Sequence, residues 1–198
     1  MKKGFFFFLI SLPTLGFAQL GIGVKAGLNF ANVTNPAGIN ANSHSGYMIG
    51  AYFSPKPKKL FGFRSEIMLS RQGYDYKTNN NTGTVNLDYL LLPQLITINF
   101  TKRFEIHAGG QLAFLLNAKA DSSNNNGGSV FDYFSRFDYG IVGGLQVSPI
   151  SGLFIGARIN IGLNDINNES GMMPVIPDFF PRKFVKNNVV QLYAGWRF

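Results

Sequence analysis

Residues Asn187 to Phe198 alternate with period two. Val190, Leu192, Ala194, Trp196 and Phe198 fall on one face, and Val189, Gln191, Tyr193, Gly195 and Arg197 on the other. A strand repeats its side-chain direction every second residue, so this pattern marks a strand lying between two different environments. Trp196 and Phe198 close the apolar face with no polar tail after them. Aromatic residues at alternate positions of a strand end suit the interfacial girdle of a membrane barrel. One strand cannot lie in hydrocarbon with bare backbone edges. It needs a neighbour on each side, and pairing with the first strand supplies one.

The same alternation recurs along the chain. It predicts strands over Leu20–Ala31, His44–Phe53, Phe61–Gln72, Thr84–Phe100, Phe104–Asn117, Phe131–Val147 and Leu153–Asn164, with the closing strand after them. Eight strands make an even number, as closed single-chain antiparallel barrels have. Polar, Asn-rich connections are expected at Asn32–Ser43, Gly73–Gly83, Ala118–Val130 and Asp165–Lys186. Short turns are expected at Ser54–Leu60, Thr101–Arg103 and Ser148–Gly152. Long and short connections therefore alternate, which puts all long ones at one end and both chain ends at the other. Within the fourth strand, Tyr89 to Leu92 is apolar on both faces. Pro93 cannot donate a ladder hydrogen bond, so a bulge is expected near it.

Composition narrows the environment. Charged residues make up 14% and hydrophobic ones 45%, against roughly 25% charged in soluble domains. No internal run approaches the roughly 20 apolar residues of a spanning helix. The absence of cysteine excludes disulfides, thiol nucleophiles and Cys-based zinc sites. Residues 1–18 read as a secretory signal: Lys2 and Lys3, an apolar stretch from Gly4 to Leu12, and a small-x-small site at Gly16-Phe17-Ala18. The mature domain is then 19–198. Removing Lys2 and Lys3 from the net charge of +8 leaves +6, which favours anionic neighbours such as lipid phosphates. No nucleic-acid motif is present.

Alternation alone fits a soluble barrel as well as a membrane one. The polar face decides between them. It is rich in glycine and short polar residues with isolated charges, which suits a cramped lumen. A solvated exterior would carry many Lys and Glu instead. Lys25, Arg64, Arg158 and Arg197, with Glu66, Glu105 and Asp138, fall on this face. Charges in a narrow interior are costly unless paired, so these seven are expected to form a lumen charge network. Trp196 and Phe198 are expected to act as a C-terminal insertion signal.

Several motifs carry a family resemblance: Gly23-Val24-Lys25-Ala26-Gly27-Leu28-Asn29, Arg64-Ser65-Glu66-Ile67-Met68-Leu69-Ser70-Arg71-Gln72-Gly73 and Tyr89-Leu90-Leu91-Leu92-Pro93. Asp138-Tyr139-Gly140 with Gly143-Gly144, Ala157-Arg158 with Gly162-Leu163-Asn164-Asp165, and Trp196-Arg197-Phe198 follow. Their order resembles the outer-membrane β-barrel family described as porin-like or PorT-like, a small barrel of OmpX/OmpA type. The resemblance implies a barrel in the outer membrane of a Gram-negative bacterium, both termini periplasmic, inserted by the barrel-assembly machinery. It implies no shared catalytic residues.

The expected fold is thus all-β: an eight-stranded antiparallel transmembrane β-barrel with up-and-down order. The expected function is structural, adhesive or partner-binding, through extracellular loops, with an accessory role in secretion as a variant. A narrow pore for small solutes is the alternative, and a lipid-modifying enzyme a remote one. His44 lies beside Ser43 and Ser45, but no Gly-x-Ser-x-Gly elbow supports a hydrolase. His107 sits beside Glu105 on the interior face, without the further His that a metal site needs. Asp121 and the Asn-rich tip lack calcium-loop spacing. No catalytic residue, cofactor or metal is expected. The expected partners are outer-membrane lipids, lipopolysaccharide and an envelope or extracellular protein, with the barrel itself a monomer. The basic turn Lys56-Pro57-Lys58-Lys59, with Lys102 and Arg103, suits phosphate headgroups or plain solvation equally.

Overall fold

The computed structural model describes residues 20–34, 40–55, 60–77, 82–122, 125–167 and 185–198. The expected signal segment and the turn Lys56–Lys59 lie outside the described residues. The strands are β1 (Leu20–Thr34), β2 (Asn40–Pro55), β3 (Phe61–Lys77), β4 (Thr82–Asn99), β5 (Phe104–Ser122), β6 (Asn125–Ser129), β7 (Phe137–Val147), β8 (Leu153–Gly162) and β9 (Lys186–Arg197). All pairings are antiparallel. Eight strands form a ring in the order β1, β2, β3, β4, β5, β7, β8, β9, and β9 pairs back onto β1 with Val24 opposite Trp196. β6 stands outside the ring and pairs with the end of β5. Closure removes the open sheet edges that hydrocarbon would not tolerate.

Three sequence expectations need correction. Phe131 does not open a strand: Phe131–Tyr133 is a single 3-10 turn, and β7 starts at Phe137. Phe134 instead forms a bridge with Asn167 and is fully buried. The first three long connections are shorter than expected: β1 runs to Thr34 and β2 starts at Asn40, β3 runs to Lys77 and β4 starts at Thr82, and β5 runs on to Ser122 with β6 folded back along it. The bulge is not at Pro93. The β3–β4 register is the same before and after it, Ser65↔Gln94 and Met68↔Leu91, so the proline removes a donor without displacing the strands. The shift lies earlier, between Asp88 and Tyr89, where β5 holds one extra residue opposite.

Alternation builds the wall. On β3, Phe61, Phe63, Ile67 and Leu69 point outward, while Arg64, Glu66, Met68 and Ser70 are buried inside. The other strands do the same: Leu28 is 56% exposed, whereas Arg64 and Arg158 are 1% exposed. This outward apolar belt takes about nine residues of β3, close to the 9–11 that a tilted strand needs to cross a bilayer.

The strands are longer than the belt, and beyond it the two faces exchange character. On β3, Tyr74 and Tyr76 point inward and are buried, and on β4 Val85, Leu87, Tyr89 and Leu91 join them. With Ala118, Ala120, Phe134, Ile166 and Val185 they form a continuous apolar core. The outer face of this collar is polar. Arg71 meets Asp88 at 2.7 Å, Asn117 donates to Asp88 at 3.2 Å, and Thr84 donates to Asp75 at 2.8 Å. The collar is therefore a water-type β-barrel set on a membrane-type one. Tyr89 to Leu92 is apolar on both faces because the inner core and the outer belt overlap there.

Candidate functional site

The lumen holds three layers. The floor, at the short-turn end, is aromatic. Tyr52 from β2, Phe154 from β8 and Tyr193 from β9 pack edge to face, with centroids 5.6 Å and 6.3 Å apart. Large side chains fit because glycines face them. A Cβ on Gly23 would strike the Tyr52 ring, and one on Gly156 the Tyr193 ring.

Above the floor lies the charged layer. Glu66 on β3 is its hub: Lys25 Nζ and Arg158 Nη1 each donate to Glu66 Oε2 at 2.6 Å. Arg64 Nη2 donates to Glu105 Oε2 at 2.6 Å, and Arg64 Nη1 lies 4.0 Å from Glu66 Oε1. His107 Nδ1 stands 3.4 Å from Glu105 Oε1. Neutral side chains add hydrogen bonds to the cations, while Arg64 Nε has no partner among the described residues. Arg158 Nε donates to Gln191, Gln191 donates to Asn29 at 2.7 Å, and Arg64 Nη1 donates to Gln146 at 3.2 Å. The aromatic floor adds cation–π contacts, with Lys25 4.6 Å from the Tyr193 centroid and Arg64 4.6 Å from that of Tyr52. A buried pair is held by geometry and extra hydrogen bonds, since its desolvation cost rivals its attraction.

Five of the seven predicted charges meet here. Two do not. Arg197 lies below the floor and donates to the Tyr52 hydroxyl at 3.0 Å. Asp138, opposite Ala113, accepts from the Tyr139 backbone N–H at 2.7 Å. Among the described residues neither forms an ion pair, because the floor separates Arg197 from Glu66 and Asp138 sits nearer the collar. Asp138 lines a cavity of about 20 Å³ together with Gln72, Tyr89, Gln111, Asn160 and Asn187, a size and lining that suit one water molecule. Sequence reasoning passed over Gln191, Asn29, Gln146 and Tyr52 as partners. Their only signal was the interior parity they share with the charges.

The collar rim holds no completed catalytic set among the described residues. His44 lies on β2, and its Nδ1 is 3.0 Å from Asp75 Oδ1. That carboxylate also accepts from Thr84. Ser43 donates to the Ala31 carbonyl at 3.1 Å, so its hydroxyl is turned to the backbone. Among the described residues, no group of three or more His, Asp or Glu is placed to hold a metal. At the opposite end, Trp196 faces outward beside Leu153 and Val24, and the Phe198 N–H donates to Ile22 at 2.9 Å.

An apolar exterior, an ionic interior and a closed antiparallel ring define an integral membrane β-barrel. The family model described as outer membrane protein beta-barrel domain matches residues 17–168, and the chain belongs to that family. No curated protein matches it. Among solved structures, it is similar to Neisserial surface protein A at 11% identity and a TM-score of 0.57, covering 89% of this chain and 97% of that one. It is also similar to Ail, the attachment invasion locus protein of Yersinia pestis, crystallised with the heparin analogue sucrose octasulfate. There the identity is 14% and the TM-score 0.50, over 91% of this chain and 99% of that one. These likenesses show a shared fold. The protein is a small outer-membrane β-barrel.

Proposed function

We propose that this barrel is a surface-binding protein and not a conduit or an enzyme. Its collar end faces outside and its short-turn end, with both chain termini, faces the periplasm. The observation that carries the reading is the layered interior. Side chains from facing strands meet across the lumen at the floor, in the charged layer and in the collar core, as a ring of eight strands permits. Such a barrel spends its interior on rigidity and offers its collar rim to partners. The polar collar face, with Arg71–Asp88 and His44–Asp75–Thr84, also lies where sugars and phosphates of lipopolysaccharide would meet it. The expected partners are therefore lipopolysaccharide along the collar wall and an envelope or extracellular protein at the rim. The monomer meets both, with no cofactor. An accessory role in secretion would be a specialised form of the same binding.

The test is current across a planar bilayer containing the folded protein. No resolvable conductance is expected, and steady single-channel steps would restore the narrow pore. Adhesion is read separately. Cells displaying the barrel should bind host glycans or proteins more than cells without it, with sucrose octasulfate as a first competitor because Ail was crystallised with it. Equal binding by both cells would reject adhesion. The lipid-modifying alternative requires that His44→Ala abolish a lipid change the wild type produces. Trp196 and Phe198 are proposed as the signal read by the assembly machinery. Replacing both with Ala should lower the heat-shifting, folded form in cells while leaving folding into detergent intact.

A further inference from the structure

We propose that the short-turn end carries a site for the phosphate of an anionic phospholipid. This rests on the orientation proposed above, which places that end at the periplasmic leaflet. The β4–β5 turn contributes Lys102 and Arg103, the β7–β8 turn Ile150, and β8 and β9 contribute Phe154, Arg197 and Phe198. Together they line a cavity of about 460 Å³, within the range of small-molecule sites.

The walls are fixed to one another. The Ser148 N–H donates to the Arg103 carbonyl at 2.7 Å, and the Arg197 N–H donates to the Gly152 carbonyl at 2.7 Å. Gly152 makes the turn possible: its φ of +87° is a left-handed conformation, and the Trp196 ring occupies the space a Cβ would take. The cavity is a formed cleft between two tied turns.

Its chemistry is two-sided. Three cations line it and no acidic side chain does among the described residues. Among the described residues, none of the three is in an ion pair. The two acidic residues of the charged layer are already engaged, Glu105 with Arg64 and Glu66 with Lys25 and Arg158, each at 2.6 Å. Arg197 gives its Nε to Tyr52, and its terminal nitrogens remain to donate. Beside this charge, Ile150 is 59% and Phe198 75% exposed, at the lower edge of the outward apolar belt. A lipid phosphodiester meets both halves: its oxygens accept from the cations, and its acyl chain covers the apolar residues. Free phosphate would leave the apolar half in water. A zwitterionic headgroup brings a cation of its own to a site already positive.

The experiment uses the full folded chain in nanodiscs of phosphatidylcholine with a minor fraction of phosphatidylglycerol. Lipid retained after gentle delipidation is counted by native mass spectrometry. Phosphatidylglycerol should be retained over phosphatidylcholine. The Lys102→Gln, Arg103→Gln double variant should lower that retention by about tenfold or more, and Lys77→Gln at the collar should leave it unchanged. Equal retention of the two lipids by the wild type, or full retention by the double variant, overturns the site. Displacement by equimolar inorganic phosphate also overturns it, since the site would then be for a free anion. Both leaflets of such a disc have one composition, so this result is independent of orientation. Orientation is read separately with Lys102→Cys, usable because the chain has no cysteine. Labelling of that thiol by an impermeant maleimide in whole cells would overturn the orientation and leave the anion selectivity standing.

Discussion

The charged layer and the collar core are built by inward side chains of the same strands, yet their chemistry is opposite. In the charged layer, Lys25, Arg64, Glu66, Glu105 and Arg158 are buried behind an apolar wall. In the collar, Tyr74, Leu87 and Tyr89 are buried behind a polar wall that carries Arg71 and Asp88. What changes between them is the solvent outside. Hydrocarbon already takes the apolar side chains of the belt, so the interior at that level is free to hold ions locked by mutual pairing. Above the belt, water is outside, and the hydrophobic effect drives apolar residues inward as in any soluble barrel. One strand can serve both because its side chains alternate, and the phase of the alternation is all that changes.

This contrast can be broken by substitution. The largest effect is expected from Glu66→Ala, which leaves Lys25 and Arg158 buried without their shared carboxylate. Breaking a buried pair costs about 3–5 kcal/mol, and loss of folded barrel at lower urea in lipid vesicles would show it. Lys77→Ala, at the exposed end of β3, is the control; an equal loss there would remove the special standing of the charged layer. Next, Leu87→Ala in the collar core should cost about 2–4 kcal/mol by opening a cavity. Hydrogen exchange should quicken at residues 82–88 and 115–120 and stay slow at 61–69. Uniform quickening would show one cooperative core in place of two.

A similar cost, about 2–4 kcal/mol near the midplane, is expected when the belt is charged by Leu28→Arg, read by the same urea titration. A charge tolerated there would mean that Leu28 does not face lipid. The smallest effect belongs to the outward pair. Arg71→Ala, which breaks the contact with Asp88, should cost about 0.2–1 kcal/mol, because a partly exposed pair is screened by water. Raising salt should shrink the difference between Arg71→Ala and wild type, while the Glu66→Ala deficit should persist.

Much of the membrane half was legible in the residues. Leu28, Ile159 and Leu192 fall on the outward parity, and Lys25, Arg158 and Gln191 on the inward one. The collar was not legible in the same way. Tyr74 and Tyr76 lie among polar residues such as Asp75 and Lys77, and so looked like loop. Reading them as strand requires noticing that the apolar parity of β3 jumps from odd to even after Leu69. Pro93 misled in the other direction: a missing donor suggested a bulge, but neighbouring ladder bonds on both sides hold the register.

By itself the sequence determined the alternation, the belt and which side chains share the interior, because in a strand direction follows from parity alone. Tertiary structure decided who meets whom. It took ring closure to bring Lys25 from β1 and Arg158 from β8 onto one oxygen of Glu66, across 41 and 92 positions. It also decided who is left out: Arg197 falls below Tyr52, and Asp138 stands beside a cavity without a cation. Parity fixes the face on which a charge lies, but its height along the barrel depends on the stagger of neighbouring strands, and height selects the partner.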